Sequence, residues 1–179
     1  MVFRQTAVMP HSKKDTMEIR FEEIKEQDLS EVKKIYDWYI ENSTVTFHTK
    51  PIRIDQLKEF IYVNHSLYKS YLICIDDDIA GYCFLTNYKK RPAYNRTAEI
   101  TIYLKPTFCN KGIGKIALTH LEKKARENGL KNLIGIIAGD NEGSIALFEK
   151  SGFIKCAHFK NVGEKFSKVL DVVAFQKEI

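Results

Sequence analysis

Thr97-Ala98-Glu99-Ile100-Thr101-Ile102-Tyr103-Leu104 runs through Lys105-Pro106-Thr107-Phe108-Cys109-Asn110 into Lys111-Gly112-Ile113-Gly114-Lys115. The first eight residues read as a strand, and Pro106 ends it. A glycine-bearing turn then feeds an amphipathic helix over residues 112–128, with Gly129 as its C-terminal stop. Gly112 and Gly114 lack a Cβ, so the backbone there can turn sharply and approach a ligand closely. The first N–H groups of a helix have no partner within it, and with the helix dipole they form an anion site. Lys111 and Lys115 add positive charge beside it. The stretch is not a P-loop, because GxxxxGK[ST] is absent. It is not a dinucleotide-binding fingerprint, because the third glycine is missing.

Working outward, Asn132 to Ala138 reads as the strand that completes a strand–helix–strand crossover. Asn141 to Ser151 reads as a short helix closed by Gly152. Phe153 to Val162 and Val169 to Gln176 form an expected antiparallel pair. Upstream, Tyr71–Ile75 and Ala80–Thr86 flank Asp76-Asp77-Asp78, a turn signal, and Asn87 to Asn95 is a loop. Leu29, Val32, Ile35, Tyr36 and Tyr39 share one face of a helix, with Asp28 the expected N-cap. A second helix is expected over Ile54 to Val63, with Leu57, Phe60 and Ile61 inward. Glu18-Ile19-Arg20-Phe21 alternates as an opening strand. Residues 1–16 show no periodicity and read as an extension to a single domain over 17–179. Hairpin-type strands followed by a crossover imply a mixed sheet with helices on its faces.

Composition fits one globular domain: 44% hydrophobic and 28% charged residues argue against disorder. No apolar run approaches the roughly 20 residues of a membrane span, and the N-terminus lacks a secretory leader pattern. The net charge of +5 suits a polyanionic ligand, but no interleaved aromatic and basic stripe points to nucleic acid. No cysteine lies in a CxxC pair, so no metal is expected; Cys74 and Cys83 read as core, which fits a reducing cytoplasm.

The order strand–Pro–turn–Gly112-Ile113-Gly114–helix, then strand, then Asn141-Glu142-Gly143-Ser144-Ile145-Ala146-Leu147-Phe148-Glu149-Lys150-Ser151-Gly152-Phe153 resembles the GCN5-related N-acetyltransferase superfamily. Tyr39 to Phe47, Arg91-Pro92-Ala93-Tyr94, Thr97-Ala98-Glu99, and Lys165-Phe166 with Leu170-Asp171-Val172-Val173 resemble its phosphinothricin acetyltransferase-like branch. The resemblance covers nearly all of residues 17–176. It implies the acyl-CoA N-acyltransferase fold: α/β, with a mixed, mostly antiparallel central sheet flanked by helices. It also implies acetyl-CoA as co-substrate, a small-molecule amine such as phosphinothricin, methionine sulfone or methionine sulfoximine as acceptor, and a homodimer.

Roles follow position by position from the resemblance. The backbone of Lys111, Gly112, Ile113, Gly114, Lys115 and Ile116 would hold the pyrophosphate. The main chain of Ile102, Tyr103 and Leu104 would pair with the pantetheine arm, and Asn141 would bond that arm, with Ser144 close by. Glu99 matches the general base. Phe47, Arg91 and Tyr94 would meet the acceptor. There are departures: Cys109 stands where the superfamily usually has Gln or Arg, and Val169 where the branch often has Trp. Phe148 replaces the common Tyr or His and has no proton to give to a leaving thiolate.

The chemistry is coherent. An α-amine with a pKa near 8 must lose a proton before it attacks. A carboxylate can take that proton, more readily if partial burial raises its pKa. A backbone N–H on the strand after Glu99 is the natural donor to a developing oxyanion. His48, beside the segment that lines the acceptor site in this branch, is a secondary candidate; His120 reads as surface or core. Two alternatives keep the fold: an acetyltransferase for a polyamine or a peptide N-terminus, and a non-catalytic acyl-CoA-binding or sensor domain.

Overall fold

A computed structural model describes residues 18–179. The extension assigned to residues 1–16 lies outside them. The elements follow the expected order: β1 (Ile19–Glu23), α1 (Leu29–Asn42), α2 (Ile54–Leu57), β2 (Ser70–Ile75), β3 (Asp78–Asn87), β4 (Thr97–Leu104), α3 (Ile113–Glu127), β5 (Asn132–Ala138), α4 (Glu142–Lys150), β6 (Ile154–Lys165) and β7 (Lys168–Glu178). The strands form one sheet in the order β1-β2-β3-β4-β5-β7-β6. Every neighbouring pair is antiparallel except β4 with β5. The mixed, mostly antiparallel sheet is therefore as expected.

Alternation along the strands sends residues to two cores. On one face Leu72, Cys74, Tyr82 and Phe84 pack with α1 through Leu29, Val32, Ile35, Tyr36 and Ile40. On the other, Ile73, Cys83, Leu85, Ala98, Ile100 and Phe175 pack with α3 through Ile113, Ala117, Leu118 and Leu121, and with Phe148 of α4. No helix among the described residues is long and apolar enough to cross a membrane.

Two local expectations change. Asp28 does not cap α1 through its side chain. Its carboxylate instead accepts the Lys25 N–H at 2.8 Å and closes a 3-10 turn over Glu26–Asp28 that leads into the helix. The second helix stops at Leu57 rather than reaching Val63. Phe60-Ile61-Tyr62-Val63 is aromatic and β-branched, a poor helical run. The chain tightens there, with the Glu59 and Phe60 N–H groups bonding carbonyls three residues back, and Asn64 takes φ 57°. Burial of Leu57 and Ile61 holds the segment in place, while Phe60 stays half-buried.

Candidate active site

Where β4 and β5 part, the sheet opens. Their ladder pairs only Thr97, Ala98 and Glu99 with Asn132, Leu133 and Ile134. β4 stays paired to β3 as far as Leu104, and β5 to β7 along its whole length. Beyond Glu99, β4 therefore presents a backbone edge with no strand on its β5 side. A free edge of this kind can take an extended ligand as an added strand.

A cavity of about 450 Å³ occupies the opening. It is lined by Ile102, Tyr103 and Leu104 of β4, by Gly112, Gly114 and Lys115, and by Asn141, Ser144 and Phe148. Gly112 takes φ 79°, a left-handed conformation that favours glycine, and this turns the chain into α3. The Lys115 and Ile116 N–H groups bond the Gly112 carbonyl, at 3.2 and 3.4 Å. Those of Ile113 and Gly114 precede the helical ladder and remain for an anion. The Ile113 side chain is buried in the core, the Ile116 side chain is exposed, and the Lys111 ammonium lies over the Phe108 ring. These three therefore offer backbone or long-range charge to the cavity rather than side-chain contact. Asn141 is the N-cap of α4: its Oδ1 accepts the Ser144 N–H at 3.1 Å, leaving the amide Nδ2 as a donor. An extended arm ending in phosphates fits this set of groups.

A second cavity, of about 340 Å³, lies on the α1 side of β4. It shares Val45, Thr101, Tyr103 and Ile136 with the first. Glu99 lines it, on the same face of β4 as Thr101 and Tyr103. Among the described residues its carboxylate has no hydrogen bond or ion pair. Burial pushes the Glu99 pKa up, and the positive charge of Lys89 offsets this in part. Phe47 lines this cavity with Tyr36, Thr46, His48, Phe60, Phe84 and Thr86.

Arg91 and Tyr94 line neither cavity. They sit on the exposed loop between β3 and β4, Tyr94 packed edge-on to Tyr88. His120 lies away from both cavities, stacked on Phe21 with ring centroids 4.0 Å apart.

Sequence reasoning missed Tyr36 as a member of the site, whereas Thr46 falls in the segment before His48 that the resemblance set at the acceptor. Tyr36 falls on the buried face of α1 and reads as core by spacing alone. Its hydroxyl nevertheless accepts from Thr46 Oγ1 at 2.8 Å and lies 2.6 Å from His48 Nδ1. Tyr39 was read on the shared face of α1 and within the Tyr39–Phe47 mark; its hydroxyl donates to the Leu104 carbonyl and ties the end of β4 to α1.

A split parallel pair with a glycine-turned helix N-terminus at its mouth makes a site for an extended ligand with an anionic end. Comparison with known proteins agrees: the acetyltransferase (GNAT) domain family matches residues 21–174, and the chain belongs to this family. It is 26% identical to a phosphinothricin N-acetyltransferase of Streptomyces coelicolor over 92% of this chain and 98% of that one. It is also 26% identical to an L-methionine sulfoximine/L-methionine sulfone acetyltransferase of Pseudomonas aeruginosa, over 83% of this chain and 88% of the relative. Among solved structures, a phosphinothricin acetyltransferase of Sinorhizobium meliloti in complex with acetyl-CoA superposes with a TM-score of 0.83 at 25% identity, covering 92% of this chain and 89% of that one. A ribosomal-protein-alanine N-acetyltransferase of Brucella melitensis superposes with a TM-score of 0.81 at 26% identity, covering 91% and 100%. The chain is thus an N-acetyltransferase by family.

Proposed function

We propose that the protein transfers the acetyl group of acetyl-CoA to the amine of a small amino-acid-like acceptor, with Glu99 as general base. One observation carries this reading: an unpaired, half-buried carboxylate on the wall of the second cavity, beside the residues through which that cavity meets the first. The co-substrate supplies an already activated thioester carbonyl. The free edge of β4 at Ile102 to Leu104 holds its extended arm, with Asn141 Nδ2 donating to that arm. The N–H groups at the start of α3 hold its phosphates. Both substrates bind together, so no covalent enzyme intermediate is needed. Glu99 takes a proton from the attacking amine, directly or through one water. Phe148 carries no proton, so the departing thiolate takes its proton from solvent or leaves unassisted.

The acceptor class rests on the names of the phosphinothricin and methionine sulfone relatives. In this reading Phe47 walls the acceptor cavity, and Arg91 and Tyr94 meet the acceptor from the loop outside. The four free cysteines suit a cytoplasmic protein. The edge strand β6, which exposes Ile154, Phe159 and Val162, suits a homodimer interface.

The test is thiol release from acetyl-CoA, followed with Ellman's reagent against methionine sulfone, phosphinothricin, polyamines and short peptides. Glu99→Gln should lower kcat/KM by about two decades or more. The wild-type rate should fall as pH drops through the raised Glu99 pKa, because the base form is then lost, and this acid limb should vanish in the variant. Full activity in Glu99→Gln would remove the residue from its role. Binding of acetyl-CoA with no turnover of any amine would favour a sensor domain.

A further inference from the structure

Lysine is almost never fully buried without a carboxylate partner, because taking an ammonium out of water is costly. Lys165, the last residue of β6, is only 4% exposed. Among the described residues no carboxylate forms an ion pair with it, and burial alone lowers its pKa. Its Nζ donates to the Thr46 carbonyl at 2.9 Å, across 119 residues of sequence. The same atom lies 5.2 Å from the centroid of the Phe166 ring. Phe166 and Ser167 make the two-residue turn from β6 to β7, both left-handed, with φ 52° and 58°. A bulky aromatic residue rarely adopts that conformation. Here it carries the ring over the ammonium.

The carbonyl belongs to a strap whose main chain is otherwise unbonded. Residues 43–48 run without helix or strand, and among the described residues no backbone–backbone hydrogen bond involves residues 44–52. Side chains hold the strap instead. Thr44 Oγ1 donates to Asp140 at 2.7 Å, at the turn before α4, and Thr46 Oγ1 donates to the Tyr36 hydroxyl of α1 at 2.8 Å. Lys165 adds the tie to the β6–β7 hairpin. Phe47 rests on the same hairpin: a Cβ at Gly163 would stand 3.8 Å from Phe47 Cδ1. Thr46 is buried, so its carbonyl would be left without a partner if the ammonium were removed. Val45 lines both cavities, and Thr46 and Phe47 line the second. The strap therefore walls the junction of the cavities, and the ammonium fixes its middle.

We propose that Lys165 is a positioning residue for acetyl transfer: its buried ammonium holds the Thr46 carbonyl, and through it keeps Val45 and Phe47 in place on the cavity walls. Lys165 itself lines neither cavity, so it acts through the strap. A loose wall would have to be ordered each time an amine binds, and that entropy is lost from binding. The Gly112 turn and the Asn141 cap are not part of the strap, so the hold on acetyl-CoA should depend little on the tie. The assignment rests on acetyl transfer to an amine bound in the second cavity.

The experiment takes the amine turned over fastest among methionine sulfone, phosphinothricin, spermidine and a short peptide. It measures kcat and KM for that amine, and Kd for acetyl-CoA, in wild type, Lys165→Met, Lys165→Arg and Phe166→Gly. Met keeps the apolar stem without a donor. Lys165→Met should raise KM about tenfold, with kcat and the acetyl-CoA Kd within about threefold of wild type. Arg keeps the charge and the donors, so Lys165→Arg should bring KM back to within about threefold. Phe166→Gly uncovers the ammonium at a φ that suits glycine. It should raise KM about threefold while melting no lower than wild type, whereas a purely structural role would link every rise in KM to a fall in Tm. Backbone 15N order parameters give a readout independent of turnover: residues 45–47 should fall from about 0.85 in wild type to below about 0.6 in Lys165→Met, with β4 unchanged. Should Lys165→Met not fold, Phe166→Gly carries the test. Unchanged KM in the variants, a loss in kcat as large as the rise in KM, or order parameters that stay high would each overturn the assignment alone. A wild type that binds acetyl-CoA and acetylates none of the four amines overturns the transfer reading, and this assignment falls with it.

Discussion

Gly135→Ala tests whether the packing behind the first cavity is as tight as its geometry demands. Gly135 lies on β5 just past the last residue paired to β4, and the Phe148 ring rests directly on its backbone. A Cβ at residue 135 would stand 2.1 Å from Phe148 Cε1 and 2.7 Å from Cζ. Ordinary contact begins near 3.4 Å, so the ring edge must retreat by about 1.3 Å in a core packed at crystal density. It has little room: Phe148 is 6% exposed and is backed by Phe153 and Phe175, with centroids at 4.8 and 6.2 Å. Overpacking of this kind costs about 1–3 kcal/mol, or roughly 2–12 °C in Tm for a domain of this size. Because Phe148 also lines the cavity, the displaced ring should weaken acetyl-CoA binding as well. Phe148→Leu removes the clashing ring edge, so the double variant should be more stable than the two single losses predict, with a coupling of about 1–2 kcal/mol. Calorimetric melting of the four proteins, with acetyl-CoA titrations, completes the cycle. A Gly135→Ala protein that melts with the wild type, or losses that simply add, would refute the contact.

Two further outcomes test the fold's other faces. His120 is wedged between Phe21 and Tyr71, its Nε2 is buried without a partner, and burial followed by the nearby Lys124 depresses its pKa. Its share of stability is therefore present above the unfolded value near 6.5 and is lost as pH falls below it. His120→Phe should be more stable than wild type, by a margin in urea midpoint that widens from pH 7.5 to pH 5; a margin independent of pH would contradict this. If β6 forms a dimer interface, the wild type should scatter light with twice the mass of the 20.8 kDa chain, and Phe159→Lys with Val162→Asp should halve it. A monomeric wild type at micromolar concentration would remove the homodimer.

Much of this was legible because local rules and tertiary demands coincide along the middle of the chain. β4 and β5 fall on the residues expected, Thr97–Leu104 and Asn132–Ala138. Both are alternating or apolar runs bounded by proline, glycine and asparagine. Helices α3 and α4 end at Gly129 and Gly152, with φ 82° and 81°, as read from the sequence. The second cavity was harder to read. Nothing in a sequence distinguishes a helix-face tyrosine that is pure core from one whose hydroxyl meets a histidine twelve residues on, as Tyr36 does. The loop carrying Arg91 and Tyr94 has no periodicity to fix its path, so their place came from the resemblance alone, and they lie on the exposed surface outside both cavities. The truncation of α2 is the reverse case: a plausible helical pattern yields to the poor propensity of its second half.

The position of the chemistry follows from one topological fact. In a sheet that is otherwise antiparallel, β4 and β5 are parallel, so α3 must carry the chain back across the sheet between them. The connection from β4 to α3 is only residues 105–112, which brings the helix N-terminus, with its free N–H groups, to the carboxyl end of β4. Open α/β sheets bind ligands at the carboxyl ends of parallel strands for this reason. The same strands separate after Glu99 and Ile134, so residue 99 is the last on β4 with partners on both sides. Its backbone is fixed as firmly as any in the sheet, while its side chain looks into the space that opens one residue later. Position 97 stands at the start of the strand, paired to β5 alone and two residues short of the opening. A base at position 103 would stand on the free edge of β4, walled by Tyr36, Tyr39 and Tyr82. Position 99 thus sets a half-buried carboxylate on a rigid strand, two residues from Thr101, which lines both cavities.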